Sequence, residues 1–109
     1  MKIQHFGKGI SFNDAEATLL GRKIQKLVRY CNTVKDEGSI LRLDTERRTT
    51  EKARDQVKVM LTVQLPRKTM RAESRRARIL DALDRAIEKI TPQIKKYKEM
   101  QTGKERARR

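Results

Sequence analysis

The sequence predicts an α+β domain in which two amphipathic helices pack on one face of a four-stranded sheet. Two observations carry this prediction. Apolar residues recur at helical spacing in two separate segments, and between these segments they alternate with polar residues, as in half-buried strands. The predicted order is β-α-β-β-β-α. Helices that each have one apolar stripe pack most economically side by side on one face of the sheet. A chain of 109 residues has room for one domain.

The N-terminal segment predicts a short strand followed by a helix. Residues 2–6 are partly apolar, and Gly7-Lys8-Gly9 is typical of a turn, without the spacing of a phosphate-binding P-loop. Asn13 is a good N-cap, and Asp14 begins an acidic first turn. The following apolar residues recur at helical spacing: Leu20, Ile24, Leu27, Val28 and Cys31. We therefore expect the first helix over residues 14–31.

Three strands are predicted between the helices. Residues 39–48 alternate between apolar and polar side chains, and residues 56–65 alternate more cleanly. Pro66 turns the chain, and residues 69–73 have the pattern of a short fourth strand, with Met70 and Ala72 facing inward.

The second helix is predicted from a stripe in steps of three and four residues, with Ser74 as its cap. The stripe consists of Leu80, Leu83, Ile87, Ile90, Ile94 and Tyr97. Pro92 interrupts it, but the stripe keeps its register across the proline, which favours one kinked helix over two. Residues 101–109 are polar and mostly basic, and we expect a disordered tail there. The folded domain is then residues 1–100.

The composition excludes several classes of protein and points to a polyanionic partner. The formal net charge is +14 and charged residues make up 39% of the chain, so self-repulsion opposes folding unless a polyanion is bound. Nucleic acid is the first choice and an anionic membrane surface the second. One cysteine and one histidine cannot build a Cys/His zinc site or a disulfide. No window approaches 18 apolar residues and no secretory signal begins the chain, so we expect a cytosolic protein.

The positive charge follows the outer faces of both helices. On helix 1 these residues are Arg22, Lys26 and Arg29, with Lys23 on the flank; on helix 2 they are Arg78, Arg85, Lys89 and Lys96. Helix 1 has no acid beyond its first turn, whereas solvated faces usually mix signs to gain i,i+4 pairs. The acids of helix 2, Asp81, Asp84 and Glu88, form a neighbouring band. Side by side, the two helices would form one continuous basic ridge, extended by Arg71, Arg75 and Arg76, which would neutralise phosphates.

The remaining side chains favour recognition of folded RNA and argue against catalysis. The chain has no tryptophan and neither long strand has an aromatic residue, so bases are not expected to stack on the sheet. Tyr97 belongs to the apolar stripe, and Tyr30 could be either buried or exposed. We interpret His5 as a strand residue without a metal and Cys31 as a buried structural thiol. No catalytic set accompanies the acids, so we expect no enzyme, no cofactor, no metal and no small-molecule substrate.

The spacing of several motifs resembles that of the ribosome hibernation promoting factors, which include ribosome-associated inhibitor A. The similarity covers roughly residues 2–98. Its motifs are Ile10-Ser11-Phe12-Asn13-Asp14-Ala15; Lys23, Lys26-Leu27 and Tyr30; Met70-Arg71-Ala72-Glu73; the segment 81–90; and Gln93-Ile94-Lys95-Lys96-Tyr97-Lys98. Each motif alone is only moderately specific for this family. The order and spacing of all the motifs together are specific for it.

The resemblance implies a bacterial stationary-phase and stress-response factor that binds the small ribosomal subunit. Such proteins occupy the channel of tRNA and mRNA and so block translation. Carried over by position, the residues expected to contact rRNA phosphates are Lys23, Lys26, Lys89, Lys96 and Lys98. Arg22, Arg29, Arg71, Arg78 and Arg85 are added from the charge pattern alone. The chain ends before the second domain of the long members, and we expect the short form, monomeric when free.

Two departures from the family pattern concern helix 2. Arg78 and Leu80 stand where the family usually has aspartate and tyrosine. The loss of a helix cap at Arg78 predicts a helix that begins earlier. Pro92 replaces a basic residue, which removes one expected rRNA contact and would re-aim the last turns.

Two other functions remain open from the sequence. A general double-stranded RNA-binding module runs α-β-β-β-α with a basic start to its last helix, as in Arg75-Arg76-Ala77-Arg78. The additional first strand and the basic helix 1 argue against it. A domain that docks on an anionic membrane or an acidic protein is the second alternative, but neither helix combines its charge with large exposed apolar residues, as interfacial helices do.

Overall fold

The computed structural model describes residues 2–31, 38–48, 55–65 and 67–107, with side chains as far as residue 100. It confirms the predicted order of elements. They are β1 (Lys2–Lys8), α1 (Asp14–Cys31), β2 (Ile40–Arg47), β3 (Val57–Leu65), β4 (Lys68–Arg76) and α2 (Ile79–Ala107). Of the Gly7-Lys8-Gly9 turn, the first two residues belong to β1, and Gly9 alone takes a positive φ, of 63°.

The four strands form one mixed sheet in the order β1-β2-β3-β4. β1 runs parallel to β2, with Ile3 opposite Leu41, and the other two pairs are antiparallel. A parallel pair needs a crossover between its strands, and α1 supplies it.

One face of this sheet is covered by both helices, as the sequence predicts. Alternate side chains of β2, β3 and β4 enter a single core with the apolar stripes of α1 and α2. Leu41, Val59 and Leu61 of the sheet and Leu83 and Ile90 of α2 are completely shielded from solvent. The other face of the sheet is not covered by either helix, and we call it the open face.

A capping box fixes the start of α1. The Asn13 side-chain oxygen accepts a hydrogen bond from the Glu16 backbone N–H at 2.7 Å, and the Glu16 carboxylate accepts one from the Asn13 N–H at 3.3 Å. Each side chain thus satisfies a backbone donor that the first helical turn leaves unpaired. The helix then runs over residues 14–31, as predicted, and buries Leu20, Ile24 and Leu27.

The beginning of α2 differs from the prediction. Ser74 does not cap the helix: it lies in β4, which is longer than residues 69–73, and its buried hydroxyl has no hydrogen-bond partner among the described residues. β4 stays paired with β3 as far as Arg76 opposite Val57, which keeps the chain extended. The expected early start of the helix is therefore wrong. α2 begins at Ile79, and the Arg78 carbonyl accepts the bond from the Ala82 N–H at 3.0 Å.

α2 passes through Pro92 as a single helix, which confirms the prediction of one helix. Pro92 itself is exposed, and on either side of it Ile90 and Ile94 remain buried in the core. The helical backbone continues to Ala107 and so includes most of the segment expected to form a tail. Apart from Gly103 and Thr102, residues 101–107 are good helix formers, and a helix already docked through Tyr97 can extend into them.

Cys31 closes α1 as the buried structural thiol that the sequence predicts. Its side chain is 2% exposed. Burial raises the pKa of this thiol above its ordinary value of 9.0, and the positive charge of Lys98 partly offsets the rise. The thiol is therefore neutral at physiological pH and contributes by packing.

Removing the cap of α1 should weaken the whole domain. We expect Asn13→Ala to lower the free energy of unfolding by about 1 kcal/mol, because the Glu16 N–H loses its acceptor. Asn13→Ser keeps a capping oxygen and serves as the matched control. Urea unfolding followed by circular dichroism measures both variants; equal stability of the alanine and serine variants would contradict the role of the capping box.

Candidate nucleic-acid interface

Three cations lie on the side of α1 that faces away from the core. Arg22, Lys26 and Arg29 are exposed, opposite the buried stripe, as predicted. None of the three has an ion pair or side-chain hydrogen bond with any residue that the structure describes. We call these three residues the α1 band. Because no described carboxylate is paired with them, a bound polyanion would not have to displace one of those carboxylates to reach them.

Three cations lie along the outer side of α2, and Arg78 directly precedes its first turn. We call these four residues the α2 band: Arg78, Arg85, Lys89 and Lys96. Two of them are engaged. Arg85 donates to the Glu88 carboxylate at 3.1 Å, and the Lys89 ammonium donates to the Glu73 carbonyl of β4 at 2.8 Å. Arg78 and Lys96 have no side-chain partner in the described part of the chain.

The two bands do not form the continuous ridge that the sequence predicts. The ammonium of Lys23 meets the Asp84 carboxylate at 2.6 Å, which places Asp84 on the side of α2 next to α1. On the other side of α2, Lys89 and the Gln93 amide reach the backbone carbonyls of β4. At 100° per residue, Asp84 and Lys89 are about 140° apart around the helix. The α2 acids therefore lie between the bands, and the prediction failed because it did not fix the rotation of α2 relative to α1.

A groove of about 330 Å³ separates the helices at this level. Leu27, Tyr30 and Ile87 form its apolar part, and Lys23, Lys26 and Asp84 also line it. Tyr30 is half-buried, and the Lys98 ammonium lies 3.6 Å from the centroid of its ring and donates to its backbone carbonyl. Lys23 and Lys98, both expected to bind RNA, thus also connect α1 to α2.

Arg71 and Arg75 lie on the open face, not beside the helices. In β4 the inward positions are Met70, Ala72 and Ser74, so the arginines between them point to the opposite side. Their predicted place in the ridge is therefore wrong. For Arg75 the reason is the extra length of β4, which keeps it in the sheet instead of at the start of α2. Arg71 already lay in the predicted strand, where alternation with Met70 and Ala72 puts it on the open face.

The open face also holds an aromatic residue that sequence reasoning missed. Phe6 of β1 is 49% exposed, and the Arg42 guanidinium lies 4.3 Å from the centroid of its ring. The expectation that bases do not stack on the sheet rested on the two long strands, which have no aromatic residue. Alternation in the short first strand would have found Phe6, since Gln4, Phe6 and Lys8 share one side of β1.

His5 lies on the other side of β1, next to the helices. Its Nε2 and the Thr45 hydroxyl are hydrogen-bonded at 3.1 Å, and its ring stacks on Phe12. No group of three or more potential metal ligands exists among the described residues. Within the same residues, no helix has the length and hydropathy needed to cross a membrane.

The Lys23–Asp84 ion pair should contribute a small, salt-sensitive stability that joins the two helices. Because both side chains are partly exposed, we expect a coupling free energy of about 0.2–1 kcal/mol from a double-mutant cycle of Lys23→Ala and Asp84→Ala. The coupling should shrink at about 1 M salt. A cycle of Arg22→Ala with Asp84→Ala is the control and should be additive. Coupling of equal size in both cycles would contradict a specific contact.

Comparison with known proteins agrees with the fold and with the family resemblance. The crystal structure of the Thermus thermophilus Protein Y N-terminal domain is similar with a TM-score of 0.64 and 23% identity, covering 89% of this chain and 99% of that one. The structure of a ribosomal subunit interface protein from Coxiella burnetii gives a TM-score of 0.64 and 20% identity, covering 91% and 99%. At these identities the two structures establish the shared fold.

A family model covers nearly the whole chain. The model described as sigma 54 modulation protein / S30EA ribosomal protein matches residues 3–102. The matched region includes α1, α2 as far as residue 102, the four strands apart from Lys2, and both cationic bands. The resemblance read from the motifs is thereby confirmed, and the chain belongs to the sigma 54 modulation protein / S30EA ribosomal protein family.

Proposed function

We propose that this protein is a cytoplasmic ribosome-associated factor that binds rRNA of the small subunit at the tRNA and mRNA channel and inhibits translation by occupying it. The family description names a ribosomal protein, and a protein of the same fold is titled a ribosomal subunit interface protein. The proposal describes a non-catalytic, monomeric binding protein without a cofactor. Its effect on translation comes from the space it fills.

The α1 band is the observation that carries this proposal. Arg22, Lys26 and Arg29 follow one side of a helix, exposed and without a carboxylate partner among the described residues. A row of like charges cannot form the stabilising i,i+4 ion pairs that a solvated helix face usually forms. Phosphates of an RNA backbone supply the missing negative charge and release their counterions on binding.

The α2 band offers a second line of phosphate contacts, separated from the α1 band by Asp84. Two separate rows of cations fit two phosphate backbones better than they fit the backbone of one continuous strand. Lys89 keeps donors to spare after it binds the Glu73 carbonyl, because an ammonium has three. Lys96 and Arg78 have no side-chain partner among the described residues and can contact RNA directly.

Binding to small ribosomal subunits should depend on an empty channel. We expect the protein to sediment with small subunits and to be lost from them when tRNA and mRNA are bound first. Sucrose-cushion sedimentation with labelled protein measures both states. Undiminished binding in the presence of tRNA and mRNA would overturn the proposed place of binding.

Reversing the charge of the α1 band should abolish most of this binding. Loss of two phosphate contacts predicts a drop in affinity of about 50-fold at 0.1 M salt for Lys26→Glu with Arg29→Glu. Arg67→Glu with Lys68→Glu makes the same change in net charge at exposed positions outside both bands and should have a much smaller effect. Equal losses in the two double variants would show that net charge, not the band, determines binding.

The dependence on salt should be steep. With about six phosphate contacts, affinity should fall about 10³-fold between 50 and 200 mM salt. Each cation of the bands that is replaced by a neutral residue should lower the slope by about 1. A plain RNA duplex is the control ligand: if it binds as tightly as the small subunit, the protein is a general double-stranded RNA module and the ribosomal proposal fails.

A further inference from the structure

We propose that the open face of the sheet is a second RNA-binding surface, which takes unpaired nucleotides by stacking a base on the Arg42–Phe6 pair. This surface lies on the side of the sheet opposite both cationic bands, so it does not depend on the proposed contacts of the helices. The partner class is single-stranded RNA, since its bases are free to stack and its phosphates are free to meet the surrounding cations.

Arg42 forms the centre of the proposed platform. Its Nε and Nη2 donate to the two oxygens of the Asp44 carboxylate at 2.9 and 3.1 Å, which fixes the plane of the guanidinium. The same group lies 4.3 Å from the centroid of the Phe6 ring. Both side chains stay about half exposed. An arginine held in this way offers a flat, preorganised surface of the kind on which unpaired bases stack.

Polar side chains continue from the platform across the sheet in one row. The register places Gln4 opposite Arg42, Arg42 opposite Thr62, and Thr62 opposite Arg71. Arg71 is exposed, and its side chain has no partner among the residues described. Two strand spacings put it about 10 Å from Arg42 across the face. A depression of about 340 Å³ lies along this row. The amides of Gln4 and Gln64 line this depression and can hydrogen-bond to base edges there.

The charge of the open face favours an anionic partner. By strand alternation its cations are Lys2, Lys8, Arg42, Lys58, Arg71 and Arg75, and its acids are Asp44, Glu46 and Glu73. Each of the three acids is already paired, Asp44 with Arg42, Glu46 with Arg48, and Glu73 with both Lys58 and Arg75. The net excess is therefore positive, and Arg71, whose side chain has no partner in the described part of the chain, can contact a phosphate.

Single-stranded RNA fits these features better than an acidic protein does. An acidic peptide would use the positive charge but has no use for an oriented guanidinium–aromatic stack. Stacking also does not require a particular sequence, because every base has a flat face. The open face is therefore predicted to bind unpaired RNA with little sequence preference.

The test uses the full chain and an oligouridylate of about ten nucleotides, which forms no duplex. Fluorescence anisotropy measures the affinity of the oligouridylate for three variants that keep the net charge of the protein. They are Phe6→Leu and Arg42→Lys on the open face and Tyr30→Leu in the interhelical groove. We expect about a tenfold loss for Phe6→Leu and Arg42→Lys and less than a twofold loss for Tyr30→Leu. Because Phe6 is half exposed and leucine is apolar, the fold is retained; circular dichroism checks this for each variant.

Two methionines report where the RNA lies. Met60 faces the depression on the open face, whereas Met70 is 1% exposed in the core between the sheet and the helices. With methyl-labelled methionine, the NMR signal of Met60 should shift on addition of the oligonucleotide and that of Met70 should not. An abasic oligonucleotide of the same length should bind about tenfold more weakly, since it has phosphates but no bases.

The outcomes separate this proposal from the function proposed above. It is overturned if oligouridylate does not bind, if the abasic strand or an oligoglutamate binds equally well, or if Tyr30→Leu alone lowers affinity. The Lys26→Glu, Arg29→Glu variant tests both proposals together. If it loses ribosome binding but keeps the Met60 shift, the result supports both the channel proposal and RNA binding at the open face. Retained Met60 shifts without any ribosome binding by the unaltered protein would support the open face and overturn the channel proposal.

Discussion

Burial of one face of a four-stranded sheet beneath two helices is the constraint on which the rest of this molecule depends. The strands present Leu41, Val59 and Leu61 to the stripes of α1 and α2, and this layer is the core. A small domain has little other apolar surface to bury. The chain contains many cations, and all of them must lie outside this layer because it is apolar. The charge is therefore divided between the outer sides of the helices and the open face.

The contacts between the helices determine how the charge on their side is arranged. Asp84 meets Lys23 beside the groove, and Lys89 reaches the Glu73 carbonyl on the far side of α2. These two contacts orient α2 about its axis. Like charges on the two helices are thereby kept apart, which lowers their mutual repulsion and leaves a partly apolar groove with Tyr30 in its wall. Electrostatic self-repulsion in the free protein is reduced without loss of the exposed cations.

Sequence periodicity was sufficient for the elements and for the core, because each is determined by local spacing. The bounds of α1 agree with the prediction. Of the predicted α2 stripe, Leu83, Ile90, Ile94 and Tyr97 are buried, whereas Leu80 and Ile87 are partly buried. The relative rotation of the helices and the length of β4 were not predictable in the same way. Both depend on contacts between distant segments, such as Arg76 opposite Val57 and Lys23 with Asp84. Phe6 lies in the first strand, outside the two long strands on which the expectation of a sheet without stacking aromatics rested.

The bonds from α2 to β4 have a consequence for how this protein behaves at high concentration. β4 is an outer strand of the sheet, and its carbonyls at Arg71 and Glu73 already accept hydrogen bonds from Gln93 and Lys89. A strand from another molecule could pair there only by displacing these side chains. Charged lysines at the border of a sheet also discourage such pairing. The helix α2, which carries part of the basic surface, thus protects one of the two sheet edges at which strands of other molecules could pair and aggregate.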